Sequence, residues 1–166
     1  MLALLVKLNA MSKQSAEAAH SPAKPRGCTF LRLRKLTRRI TQRYDLHLQP
    51  SGLRITQFSL LATLAGADGM SISDLAWQLA MDRTTLTRNL QPLIAAGHIA
   101  LGAGKDGRSR SVFLTPAGRR TFESTLPQWR AAQREIQVLL GPDALQHLHL
   151  ILDDTLSILA SARPQS

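Results

Sequence analysis

Met81-Asp82-Arg83-Thr84-Thr85-Leu86-Thr87-Arg88-Asn89-Leu90-Gln91-Pro92-Leu93-Ile94-Ala95-Ala96-Gly97 is the stretch whose reading decides the fold. Leu86, Leu90, Leu93, Ile94 and Gly97 fall at i, i+4, i+7, i+8 and i+11, the apolar stripe of an amphipathic helix. Asp82 is placed to cap its start and Gly97 to end it in a left-handed conformation. At about 100° per residue, Thr84, Arg88 and Gln91 point away from the stripe, with Thr85 and Thr87 beside them and Arg83 in the first turn. Short hydroxyls, arginine and glutamine without a carboxylate among them suit base edges and phosphates in a major groove. An ordinary solvated helix face is the simpler reading of these residues taken alone, so the surrounding chain has to decide.

The chain has 166 residues, of which 44% are hydrophobic, enough for one good core with appendages. Its formal charge of +10 points to a polyanionic partner, nucleic acid or an acidic membrane surface. Residues 142–166 hold Asp143, Asp153 and Asp154 against Arg163, so the basic excess lies before them. No stretch approaches the roughly 18 apolar residues of a membrane span. A lone cysteine, Cys28, excludes an intramolecular disulfide and fits a reducing cytoplasm.

Upstream of the central stretch, Phe30, Leu33, Leu36, Ile40, Tyr44 and Leu48 recur at three- and four-residue steps, predicting a long helix from Cys28 that ends at Pro50-Ser51-Gly52. Arg32, Arg34, Lys35, Arg38, Arg39 and Arg43 fill the rest of its circumference. Such a basic helix can lie on a membrane, but its narrow stripe lacks Trp and has a downstream core to meet. A second helix over Ile55 to Ala65 carries Ile55, Phe58, Leu61, Ala62 and Ala65 on one face and Leu60 and Leu64 off it, so it should be covered on two sides. Ser73 to Ala80 predicts a short helix capped by Ser71 or Ser73, and with the central helix it forms a helix-turn-helix.

After Gly97 the period changes. His98 to Leu101 and Ser111 to Leu114 read as strands flanking a Gly-rich tip that carries Lys105, Asp106, Arg108 and Arg110. A basic hairpin there is best read as a wing reaching along the backbone into a minor groove. Thr115-Pro116 then starts a helix to about Leu140, with Pro127 placed to bend it, and Gly141-Pro142-Asp143 is read as a break. Ala144 to Ala162 predicts a last helix with Leu145, Leu148, Ile151, Leu152, Leu156 and Leu159 on one face. The fold class is therefore mainly α with a small β-hairpin wing (α+β): a winged helix-turn-helix whose terminal helices form a dimerisation layer. The expected organisation is a flexible arm over residues 1–25, a helical dimerisation region from residues 26–52 and 115–166, and the winged helix-turn-helix over residues 53–114.

On these residues the chain resembles the MarR family of bacterial transcription regulators. The resemblance rests on Ile72 to Ala76, Met81 to Arg88, the helix end from Leu93 to Gly97, Asp106-Gly107-Arg108-Ser109-Arg110 and Leu114-Thr115-Pro116-Ala117-Gly118. It implies a homodimer on a near-palindromic stretch of double-stranded DNA, commonly a repressor, released by a small anionic aromatic ligand such as a phenol or by oxidation. It also implies groove-reading roles for Thr85, Thr87 and Arg88, a wing arginine at Arg108 and a bracing aspartate at Asp106. Gly107 departs from the family, where a second basic residue is frequent, and so does Pro92, which removes an N–H from within the helix.

Two alternatives stay open. One is a redox-sensing regulator acting through Cys28, which stands at a helix start where the dipole, Arg26 and Arg32 favour an anion. The peroxide-sensing branch of the family keeps such a cysteine, but aligning on Tyr44 leaves Cys28 about two positions early. A small half-buried residue or cap is the simpler role. The other alternative is a winged helix used only for protein contacts. An enzyme lacks its constellation: there is no Gly-rich phosphate loop and no Gly-x-Ser-x-Gly. His147 and His149 diverge on a helix, unlike the i, i+4 pairs that bind metal, so neither metal nor cofactor is implied.

Overall fold

The structure is a computed structural model that describes residues 27–104 and 110–161. The expected arm over residues 1–25 and the wing-tip residues Lys105, Asp106, Gly107 and Arg108 lie outside the described residues. The chain divides into two compact units, Met1–Thr37 and Arg38–Ser166. Within the first, the described part is the opening of helix α1 (Thr29–Leu48), where Phe30, Leu31 and Leu33 are exposed.

The second unit continues from α1 through a 3₁₀ turn, Gln49–Ser51, into α2 (Ile55–Ala65). Asp45 organises this corner: its carboxylate accepts the first free N–H of α2, from Ile55, at 2.8 Å and the Arg54 guanidinium at 3.2 Å. An orphan donor at a helix start is thereby satisfied from another helix. Leu60, Leu61 and Leu64 of α2 are all buried, as expected of a helix covered on two sides. With Leu48, Phe58, Leu75, Leu86, Leu90, Leu93, Ile99 and Val112 they form one core.

The helix-turn-helix and its hairpin follow as β1 (Met70–Ser71), α3 (Ile72–Gln78), α4 (Arg83–Ala95), β2 (Ile99–Ala103) and β3 (Arg110–Leu114). The hairpin is longer than the sequence indicates, and it gains a third strand. β1 pairs antiparallel with β3, Met70 opposite Val112, giving the order β1-β3-β2. Two residues cannot display a period of two, so β1 is visible only through its partner.

Helix α5 (Pro116–Leu140) packs on α2, and Phe122 and Trp129 lie 5.3 and 6.0 Å from the Phe58 ring, centroid to centroid. Its start explains the Leu114 to Gly118 motif. The Thr115 hydroxyl donates to the Gly97 carbonyl at 2.7 Å and accepts the Gly118 N–H at 2.9 Å. A Cβ on Gly118 would lie 2.0 Å from the His98 carbonyl oxygen, so only glycine lets the helix approach the strand that closely.

Farther along α5, Glu135 accepts from Arg43 at 2.6 Å and lies 2.7 Å from His47 Nε2, while the Tyr44 hydroxyl donates to Gln133. These contacts tie α1 to α5. The hydrogen bond from His47, then the charge of Arg43, hold the Glu135 carboxyl below its ordinary range.

The last helix, α6 (Pro142–Ser161), starts two residues earlier than the expected Ala144. Pro142 is not a break: its fixed φ and missing N–H suit the first position of a helix. Nothing on α6 is buried.

Candidate nucleic-acid interface

Helix α4 is held from both ends and from beneath. Asp82 has an extended backbone and accepts the Thr85 N–H at 2.8 Å, the geometry of a helix cap. At the other end Gly97 takes φ +70°, and the His98 and Gly97 N–H groups return to the Leu93 and Ile94 carbonyls at 2.9 Å each. That is the paired closure of a Schellman motif. Beneath, Leu86, Leu90 and Leu93 are buried. Thirteen residues at 1.5 Å each give a rod of about 20 Å, which fits lengthwise in a groove about 12 Å wide.

Every residue singled out on this helix is exposed: Arg83, Thr84, Thr85, Thr87, Arg88 and Gln91. Their chemistry differs in a way the sequence does not reveal. The Thr85 hydroxyl already donates to Asp82 at 2.6 Å, and the Thr87 hydroxyl to the Arg83 carbonyl at 2.7 Å. Both therefore face outward as acceptors and methyl groups, matched to amino groups on cytosine or adenine and to the thymine methyl. Arg88 and Gln91 supply the donors. Pro92 is also exposed and has no N–H for the Arg88 carbonyl, so that acceptor is left without its helical partner.

Hydrogen bonds from the Thr85 side chain, then from its backbone, hold the Asp82 carboxyl below its ordinary value of 3.8. A depressed carboxylate value means that the cap's contribution to stability is complete above the ordinary value. It is lost as pH falls through the lowered one. Asp82→Ala is accordingly expected to lower the melting temperature and weaken DNA binding at pH 7. The gap in melting temperature from wild type should close on acidification below about pH 4. Circular dichroism melts across that range check it, and a gap unchanged by pH would show that the carboxylate does not cap α4.

The turn between α3 and α4 is a second closure, unannounced by any glycine. Ala80 takes φ +49°, its N–H bonds the Trp77 carbonyl at 3.1 Å, and the Met81 N–H bonds the Ala76 carbonyl at 2.8 Å. This is again a Schellman pattern, with alanine in the left-handed position at a strain of about 1–2 kcal/mol. Trp77, 70% exposed on α3, is another surface feature the apolar pattern does not flag.

Arg110 opens β3 opposite Ala103 and is exposed at the described end of the wing. Cys28 is half-buried just before α1, with its carbonyl accepting the Arg32 N–H at 3.3 Å. His147 and His149 are both exposed, and among the described residues no three metal-ligating side chains cluster. No helix among those residues is long and apolar enough to cross a membrane.

Known proteins share this arrangement. A MarR family model matches residues 51–109. The transcriptional activatory protein BadR of Rhodopseudomonas palustris is 31% identical over 129 residues, 74% of either chain. The M. tuberculosis transcriptional regulator MosR, solved in complex with DNA, is 33% identical with a TM-score of 0.68, covering 79% of this chain and 98% of its own. A mutant of E. coli MarR complexed with operator DNA is 22% identical and shares the fold, with a TM-score of 0.73 over 82% of this chain and 99% of its own. A helix-turn-helix with its outer face free, a wing beside it and relatives of this closeness have one reading: the chain belongs to the MarR family of DNA-binding transcription regulators.

Proposed function

We propose that the protein works in the cytoplasm as a homodimer that reads a near-palindromic operator through α4. Thr84, Thr85, Thr87, Arg88 and Gln91 address bases, and Arg83, Lys105, Arg108 and Arg110 hold phosphates and the minor groove. Asp106 braces Arg108. The observation that carries this reading is the division of α4 into a face locked in the core and a polar face with no carboxylate on it.

The dimer reading rests on α6 and the end of α5. Leu150, Ile151, Leu156, Ile158 and Leu159, together with Val138, Leu139 and Leu140, are exposed, and an apolar surface of that extent marks an interface. Residues 26–52 and 115–166 then form the dimerisation region, residues 53–114 the reading head and residues 1–25 an arm. Two-fold symmetry sets the two α4 helices about 34 Å apart, one helical turn of DNA. Full-length protein is expected to scatter light as a dimer at micromolar concentration, and a 53–114 fragment as a monomer that binds DNA poorly. A full-length monomer would overturn the assignment.

Repression by occupying a promoter is the simplest output of such a dimer, with release by a small anionic aromatic ligand. BadR carries the word activatory in its name. In vitro transcription from the footprinted promoter, with and without a panel of aromatic acids, decides the direction of control. Acids that neither raise the melting temperature nor release DNA would remove the ligand switch.

A further inference from the structure

Met81 lies in the turn that joins α3 to α4. Its backbone N–H closes α3 onto the Ala76 carbonyl, and it precedes the Asp82 cap of α4. An apolar side chain in that place fixes the angle at which the chain enters a helix. The Met81 side chain packs on the core that contains Leu75 and Leu86. On its other side its sulfur accepts the Asn89 amide of α4 at 3.7 Å. The turn it holds includes the left-handed Ala80, so this side chain restrains a strained connection.

We propose that Met81 is an oxidation site through which hydroperoxides release the protein from DNA. The residue is half-buried, in contact with solvent as well as core. Its sulfur lone pair attacks the terminal oxygen of the hydroperoxide, and the S–O bond forms as the O–O bond breaks. The hydroperoxide proton passes to the departing oxygen, which leaves as water or an alcohol. Sulfur loses two electrons and the peroxide gains them. The sulfoxide that results is strongly polar, and its oxygen is a far better acceptor for the Asn89 amide, or for water, than the thioether sulfur it replaces. It no longer suits the apolar core, containing Leu75 and Leu86, on which the methionine packs. Drawn out of that packing, the side chain no longer restrains the strained turn at Ala80, and α4 loosens against α3.

The proposal rests on α4 carrying the base contacts, which Arg88→Ala tests without oxidant. Its own test uses full-length protein bearing Cys28→Ser and Met70→Leu, which leaves Met81 the sole sulfur among the described residues. Hydrogen peroxide is expected to add one oxygen at Met81, seen by peptide mass spectrometry, and to lower operator affinity about tenfold. Methionine sulfoxide reductases A and B with a thiol reductant should reverse both changes. Adding Met81→Leu, which keeps the apolar contact, should preserve DNA binding and make it indifferent to peroxide. Full oxidation of Met81 with affinity unchanged would overturn the proposal. So would an equal loss in the Met81→Leu protein, or a Met81 that resists peroxide at concentrations that oxidise free methionine.

Discussion

Leu86→Ala is expected to destabilise the protein by about 2–5 kcal/mol, the range for deleting a fully buried leucine side chain. Leu86 is 0% exposed and lies in the first turns of α4, within the same core as Leu75 and Leu90. The cavity would open between the reading helix and its support, so DNA binding should fail below the temperature at which the rest of the chain melts. For a chain of this length the melting midpoint should fall by roughly 4–20 °C, at about 2–4 °C per kcal/mol. Thr84→Ala, on the opposite face of the same helix, should change stability by less than about 0.5 kcal/mol. Calorimetry on the two variants checks the pair, and equal stabilities would mean that α4 has been assigned the wrong inward face.

Arg88→Ala is expected to change base preference by about 1–3 kcal/mol at a few positions of the bound sequence, with little effect on scrambled DNA. Arg88→Lys should not restore the preference, because a point charge cannot reproduce a bidentate fork. A phosphate contact behaves differently. Its loss weakens operator and scrambled DNA alike and lowers the slope of log K against log salt by about one. Anisotropy titrations over a salt series separate the two outcomes. A uniform loss with a shallower slope would move Arg88 from reading bases to holding the backbone.

The legibility of α4 has a local cause. Asp82 and Gly97 act on backbone groups within three to five residues of themselves, and the leucine stripe needs only helical geometry to declare its inward face. Pro142 was legible too but admits two readings, since the same missing N–H that breaks a helix interior suits a helix start. The acceptor character of Thr85 and Thr87 was not legible. A threonine hydroxyl turns to whichever partner is nearer, and both found one within four residues.

By itself the sequence determined the order of the helices, the caps of α4 and α5, the buried stripe and the polar face opposite it, because each depends on neighbours within a turn or two. Tertiary structure alone decided what depends on distant partners. β1 exists because Val112 lies opposite Met70, and α2 is capped by Asp45 from another helix. Glu135 joins α1 to α5 across some ninety positions. Gly118 must be glycine because the His98 carbonyl passes within reach of a Cβ. Ala80 bends left-handed because the bonds to Trp77 and Ala76 and the core around Met81 outweigh its strain, a balance no propensity in the sequence records.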